Sequence, residues 1–545
     1  MKKMNKILGA TVLGLAAVSG GCVNDLDQYP VAETTSAQVY AEPANYKSVL
    51  AKIYASYFLA GQGMGGANGD LTTINGQDFS RGWFNMQESA TDEVANTWLS
   101  GNNLTDLTNM SWSVKDAWVS DSYYWLYYNI ALCNELIRHC GDDEISGFTA
   151  LEQEDIRGYR AEARFVRAFS YWMVLDLFRQ GPMVDEDTPL TGYVPEAYNG
   201  TKLFDFIESE LTALTTDGAI DALPDFNEYG RAAKPAGLAL LARLYLNHHI
   251  YRGVVDTKYY TLCINACHRV ISNAAFYLEP DYAKLFNADN HKRTHEILFS
   301  LAGDAATSVT WGGGTYVVCG SCTNNSTDYK QNPADYGLTA GWGMFRARGE
   351  LAAKFGASAD EIENSLDSRA MIFTLDRPQY FTGPIDNQAE GFFYEKFTNL
   401  TDDGEAASNT ASNGCSTDYP MLRLADVYLM AAEAQLRGGA GITRSQALGF
   451  VNDVRLRAYN QDERGKISDG DLTLDFILDE RARELYLESI RRTDLVRFDK
   501  FTTGDYLWQW KGGVLDGRPV DSKYNYYPIP DADLTANPNL SNPLY

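Results

Sequence analysis

Basic charge is what this chain most lacks. Lys and Arg total 46 against 72 Asp and Glu, leaving a net charge of −26 over 545 residues. A polyanion partner needs clustered Lys and Arg, so no nucleic-acid partner is expected. Histidine is scarcer still, with six copies. Only His248 and His249 adjoin, and no H-E-x-x-H or comparable metal-ligand spacing occurs. There is also no G-x-S-x-G elbow, P-loop or dinucleotide fingerprint. A glycosidase would need two carboxylates set across a scissile bond, and sequence alone selects no pair from so many acids. The segment "DERARELYLE" offers Asp479, Glu480, Glu484 and Glu488. Arg481, Arg483, Arg491 and Arg492 interleave with them at helical spacing, which predicts ion pairing along a helix. The expectation is a protein that is not an enzyme.

Long hydrophobic runs are missing too. The one apolar run near the start, "ILGATVLGLAAV", follows Lys2, Lys3 and Lys6 and is too short to span a bilayer comfortably. Basic residues, a short apolar run and then "SGGC" describe a secretory signal over residues 1–21. The cysteine directly after the small residues predicts lipid acylation at Cys22, although Ser19 stands where a branched aliphatic is usual. "CVNDLD" follows, and its Asp25 and Asp27 resemble the acidic tag of surface-exported bacterial lipoproteins. The plain alternative is a secreted protein with an ordinary cysteine there. No later segment reads as a transmembrane helix, so the expected location is the cell outer membrane, surface-exposed and lipid-anchored.

Cysteine is the third scarcity. Of eight cysteines, Cys22 is assigned to the anchor, and an odd number remains that cannot all pair. Cys133, Cys263 and Cys267 fall in amphipathic helical patterns, where Cys serves as a small buried apolar residue. Cys319 and Cys322 form a C-x-x-C, but "TYVVCGSCTNNSTDY" shows no helix after a strand of the kind that activates a redox dithiol. No second cysteine or histidine pair completes a zinc set, Cys415 being isolated. A structural disulfide or buried thiols is the expectation there.

What the chain has in plenty is aromatic surface: 12% of residues, with 34 Tyr and 10 Trp. Helical periodicity is clear at 43–61, 121–140, 154–178, 202–215, 233–251, 257–275, 420–437, 444–458 and 473–498. In the third of these Ala161, Phe165, Ala168, Phe169, Trp172 and Leu175 share one face. Small and large residues alternate in "AEARFVRAF", "AGLALLARLYL" and "ADVYLMAAEAQL", as in paired helices of tetratricopeptide-like repeats, without a strict period. The predicted fold is mainly α, a helical-pair scaffold with a large irregular insert. One domain is expected over 22–545, with scaffold at about 40–61, 119–299 and 416–500 and inserts at about 62–118 and 300–415. Loops of that length are usually functional or disordered, and their tryptophans argue for order.

Three of those tryptophans stand among residues too small or too polar to cover an indole: Trp98 in "ANTWLSGNNLTD", Trp311 in "TWGGGTY" and Trp342 in "TAGWGMF". Sugars present apolar C–H faces ringed by hydroxyls, so a binder needs flat rings with polar groups beside them. Asp78, Arg81, Asn102 and Asn103 could supply the polar half. Taken singly, each tryptophan could equally anchor its own loop.

The lipobox and acidic tag resemble those of the SusD/RagB family of surface glycan-binding lipoproteins. So do "AEARFVRAFSYWMVLDLF", "GRAAKPAGLALLARLYLN", "LRLADVYLMAAEAQLRGG", "RELYLESIRRTDLVRF" and the ending "YPIPDADLTANPNLSNPLY". The resemblance runs the length of the chain. The stretches "GGGTYVVCG", "GWGMFRAR" and "RRTDLVRFDKFTTGDYLWQWKGG" further resemble its starch-binding member. The resemblance implies a tetratricopeptide-type scaffold, no catalysis, and a hinged cap on a SusC-like TonB-dependent transporter. It implies an aromatic arc for starch-like α-glucan at Trp98, Trp311 and Trp342, with Asp78 and Arg81 as polar contacts. At the second arc position the relative has tyrosine. At Gly101 it has an asparagine, for which Asn102 would have to substitute. It also implies calcium at Asp418, but the other acidic position is His291 here, a poor calcium ligand; no other cofactor is expected. The same fold could serve a different glycan or peptides, and a surface glycoside hydrolase is the alternative from another class.

Overall fold

The computed structural model describes residues 35–63, 68–324, 329–408 and 414–545. The signal segment, Cys22 and the acidic tag lie outside the described residues. The principal helices are α1 (Pro43–Ala55), α2 (Phe79–Glu88), α3 (Ala117–Arg138), α4 (Ala150–Phe178), α5 (Gly200–Thr215), α6 (Lys234–Leu246), α7 (Thr257–Ile271), α8 (Gly313–Ser321), α9 (Leu424–Leu436), α10 (Arg444–Ala458), α11 (Leu474–Leu485) and α12 (Arg491–Arg497). Two antiparallel ribbons matter below: β1 (Val94–Asn96) with β3 (Phe345–Ala347), and β2 (Ile297–Leu301) with β4 (Tyr419–Arg423).

The fold is mainly helical, as the periodicity predicts. Helices pack in succession: α3 on α4, α4 on α5, α5 on α6, α6 on α7, α7 on α9 and α9 on α10. Neighbour-to-neighbour stacking of this kind is how a solenoid buries faces that no single helix pair can cover. The starts are set locally. Thr149 and Glu152 form a capping box on α4, Asp116 caps α3 by accepting from Val119 N–H, and Pro43 opens α1. Ala161, Phe165, Ala168, Phe169, Trp172 and Leu175 are all buried on α4.

Sequence and structure part in several places. The predicted 420–437 helix begins as strand β4, because residues 419–423 pair with β2 and the helix starts only at Leu424. The 473–498 helix is two helices. Leu487 and Ser489 take left-handed φ of 64° and 57°, and the carbonyls that would continue α11 accept from Lys396 Nζ (Tyr486 O, 2.6 Å) and Tyr419 Oη (Leu487 O, 2.8 Å). The 233–251 helix breaks at Asn247. The 62–118 insert contains α2, where Phe79, Trp83 and Met86 fall on one face and Arg81, Asn85 and Glu88 on another, although both faces are buried. The ion pairs of "DERARELYLE" mostly do not run along their helix. Glu480 and Glu484 are fully buried and meet Arg369, Arg423, Arg455 and Arg457 from other segments, and Arg481 bridges Asp426 and Asp494. Only Arg483 pairs with Glu480 within the helix.

Candidate functional site

Of the ten tryptophans, Trp98, Trp311, Trp342 and Trp510 are half-buried and the remainder are buried. Three of the four are those the sequence singles out. Trp98 and Trp342 leave the same end of the β1–β3 ribbon. Asn96 pairs with Phe345, Thr97 N–H then donates to Met344 O at 2.8 Å, and Thr97 Oγ1 donates to Gly343 O at 3.2 Å. The next residue outward on each strand side carries an indole.

Trp342 is also held by α8. The last carbonyls of that helix would be orphaned, and the Trp342 turn satisfies them. Trp342 N–H donates to Cys319 O (2.7 Å), Met344 N–H to Gly320 O (2.9 Å) and Gly343 N–H to Cys322 O (2.7 Å). The approach demands glycine at 341, where a Cβ would stand 2.2 Å from Cys322 O. The C-x-x-C therefore closes a helix, contrary to the helix-free loop expected there. It sits at the C-terminal end, where the macrodipole disfavours a thiolate. Burial pushes the Cys322 thiol up to about 12, and Cys319, whose Sγ lies 3.8 Å from Cys415 Sγ, is raised further by that contact and by burial. Cys415, isolated in sequence, joins them in space.

Trp311 immediately precedes α8, and a cluster around Arg81 joins it to the others. The Arg81 guanidinium lies 6.0 Å from the Trp311 ring, 5.9 Å from Trp118 and 5.4 Å from Tyr316. Tyr316 in turn sits 6.3 Å from Trp342 and accepts from Asn85 Nδ2 at 2.9 Å. Arg81 Nη1 donates to Asn75 O at 3.3 Å, and its Nε finds no acceptor among the described residues. Cation–π contacts of this length help to hold Arg81, which makes no ion pair within 4 Å among the described residues.

Asp78 is 1% exposed. Its Oδ1 caps α2 by accepting from Arg81 N–H at 3.0 Å and Ser80 Oγ at 2.5 Å. Burial raises its carboxyl above the usual range, against the pull of Arg81. A Cβ on Gly312 would meet Asp78 Oδ1 at 2.2 Å and one on Gly314 would meet Thr417 O at 1.7 Å, so these buried glycines serve close packing of the α8 start rather than exposure of the indole. Asn102 turns back on its own loop, with Nδ2 reaching Trp98 O and Oδ1 receiving Asn75 Nδ2, both at 3.4 Å, while Trp118 Nε1 donates to its carbonyl at 2.6 Å. Gly101 faces open space. Tyr316 and Trp118 escape the sequence reading because both are buried and lie in ordinary helical contexts; the one signal was the place of Tyr316 just after the Gly run.

Asp418 lines a different cavity, with Tyr229, His291 and Asp304. Its Oδ2 accepts from Tyr229 Oη at 2.5 Å and its Oδ1 from Gly303 N–H at 2.8 Å. Calcium takes roughly six to eight oxygen ligands. A carboxylate already receiving a phenol and an amide, beside an imidazole, does not fit that ion.

The sequence profile of the SusD family matches residues 373–545. The starch-binding protein SusD of Bacteroides thetaiotaomicron is 32% identical, over 97% of this chain and 96% of its own. SusD-like protein P25 of Formosa agariphila is 24% identical over 95% and 94%. Among solved structures, surface glycan-binding protein A from Bacteroides thetaiotaomicron in complex with laminarihexaose superposes with a TM-score of 0.67 at 17% identity, covering 92% of this chain and 99% of that one. A SusD superfamily protein from Parabacteroides distasonis gives 0.67 at 19%, over 94% and 100%. The chain has the fold of these proteins. It belongs to the SusD family. No helix among the described residues is long and apolar enough to cross a membrane.

Proposed function

We propose that this protein is a cell-surface lipoprotein that binds starch-like α-glucan oligosaccharides without cleaving them and passes them to a TonB-dependent outer-membrane transporter. The observation that carries the reading is the set of half-buried indoles of Trp98, Trp311 and Trp342, on three elements cross-braced through α8 and Arg81. Three separated, fixed ring faces suit a chain of repeating sugars better than a single compact ligand. The identity with a relative named as starch-binding, over nearly the whole chain, favours α-glucan over other glycans. Lipid attachment at Cys22 would tether the domain to the outer membrane, which accords with the membership of a surface family.

In this reading the indoles stack on pyranose C–H faces. Arg81, held by rings and one carbonyl, keeps hydrogen-bonding capacity for hydroxyls. Asp78 acts through the α2 N-terminus, fixing Arg81 and the Trp311 loop, and Asn102 braces the loop behind Trp98. The non-catalytic reading draws on Asp78, the carboxyl packed against Gly312 beside Trp311, being consumed as a helix cap.

Isothermal titration of the purified domain with maltoheptaose and with laminarihexaose tests the ligand class. Heat with the first and none with the second is the expected result; the reverse overturns the α-glucan assignment. Release of reducing sugar from amylopectin would overturn the non-catalytic one.

A further inference from the structure

Trp510 is the fourth half-buried tryptophan, and the site described above gives it no role. Its backbone is in the left-handed region (φ 67°, ψ 7°), where a bulky residue is a steric outlier. The surrounding loop enforces that conformation. Trp510 N–H donates to Val514 O and Leu515 O at 3.0 and 3.2 Å, and Gly513 N–H returns to Trp510 O at 3.0 Å. The buried Lys511 ammonium clamps Lys500, Thr503 and Tyr506 carbonyls at 2.7–3.0 Å. Strain held this firmly concentrates where a side chain must be presented in one direction.

The direction can be read from the indole itself. Nε1 is shielded from solvent and finds no acceptor among the described residues, so the ring turns its polar edge inward and leaves carbon framework exposed. The fully buried Trp172 and Trp508 share an unmet N–H among the described residues; what sets Trp510 apart is that part of its carbon framework is exposed and open to stacking. The ring packs on a small cluster of Ala95, Phe381 and Ile385, shared with Leu99. Leu99 follows Trp98 directly, and Ala95 lies in β1, the strand that delivers Trp98. Trp510 thus packs beside the strand that delivers Trp98.

We propose that Trp510 is an additional glycan subsite beyond Trp98, stacking the continuation of a bound α-glucan chain. The inference rests on the α-glucan reading above. It makes binding depend on ligand length: short oligosaccharides occupy the three-indole group, and only longer chains reach Trp510.

The test pairs a variant with footprinting of the wild type. Trp510→Ala, checked for an unchanged melting temperature, is expected to bind maltotriose within two-fold of wild type but amylopectin-derived long chains about five-fold more weakly. In the wild-type protein, oxidative footprinting read by mass spectrometry is expected to show Trp510 protected by long chains and not by maltotriose, with Trp98 and Trp342 protected by both. Footprinting needs no variant, so misfolding of Trp510→Ala leaves the test intact. Trp510 oxidised equally with and without long chains overturns the subsite while leaving the α-glucan reading standing. A wild-type protein that binds no α-glucan of any length overturns both.

Discussion

The main-chain N–H of Trp342 donates to the carbonyl of Cys319 at 2.7 Å. Through that bond a conspicuous C-x-x-C serves as the seat of an indole: the helix end offers carbonyls, and the glycine-flanked turn fills them. If the thiols themselves do no chemistry, Cys322→Ala keeps glucan affinity within two-fold of wild type, with or without reductant. Loss of binding on adding reductant to the wild type would contradict this.

The seat has a steric limit at Gly341. Because its Cβ would stand 2.2 Å from Cys322 O, Gly341→Ala is expected to push the Trp342 turn off α8. Overpacking of this kind costs about 1–3 kcal/mol. The denaturation midpoint should fall, and glucan affinity should fall with it even where the protein remains folded. Native affinity in a folded Gly341→Ala would show that the turn does not place Trp342.

Gly101 is the complementary case, since nothing stands within 4 Å of a Cβ there. Gly101→Asn should leave stability unchanged and tighten glucan binding by supplying an amide beside Trp98 that Asn102, folded back on Trp98 O, does not present. Titration with maltoheptaose decides it, and weaker binding with unchanged stability would argue against an amide-reading position there.

Asp418 provides a pH signature. Burial pushes its carboxyl up to about 6, opposed by the donors Tyr229 and Gly303. A carboxyl raised on folding holds its proton longer in the native state, so its contribution is complete below about pH 4 and is lost as pH rises through about 6. Asp418→Asn keeps an acceptor and removes that component. Between pH 4 and 7 the stability difference should therefore move in the variant's favour by about 2 kcal/mol, read from urea unfolding. Parallel pH profiles would contradict it. Chelation of calcium should leave the wild-type melting temperature unchanged.

Arg491 tests the buried ion pairs. It grips Asp92 through two bonds of 2.7 Å, and both groups are buried. Removing one partner strands a buried charge, so Arg491→Ala should destabilise by about 3–5 kcal/mol in chemical denaturation. A shift below about 1 kcal/mol would mean that water reaches Asp92.

Periodicity made the scaffold legible. The α4 stripe from Ala161 to Leu175 is buried as its spacing demands, and the exposed-context rule for loop tryptophans selected three of the four that are half-buried. Burial erased the rest. α2 does carry a polar stripe at helical spacing, Arg81, Asn85 and Glu88, but it is a short helix in a Gly- and Asn-rich stretch and that stripe is buried with the rest. Strand β4 was hidden because its partner β2 lies more than a hundred residues earlier. Arg369, Arg423 and Arg455 meet Glu480 and Glu484 across the fold, a pairing that helix spacing cannot show. Trp510 went unnoticed because its isolation depends on a left-handed backbone, which no local composition announces.

The central claim is that Trp98, Trp311 and Trp342 form one surface for α-glucan. Affinity gel electrophoresis of wild type, Trp98→Ala and Trp342→Ala through amylopectin, dextran, levan and laminarin measures it most directly. Stacking of a sugar on an indole is worth on the order of 1 kcal/mol, so each variant should lose about five-fold or more in affinity. The account predicts retardation of the wild type in amylopectin alone, sharply reduced in both variants at unchanged melting temperature. Retardation in another polysaccharide and not in amylopectin, or variants that migrate as the wild type does, would contradict it.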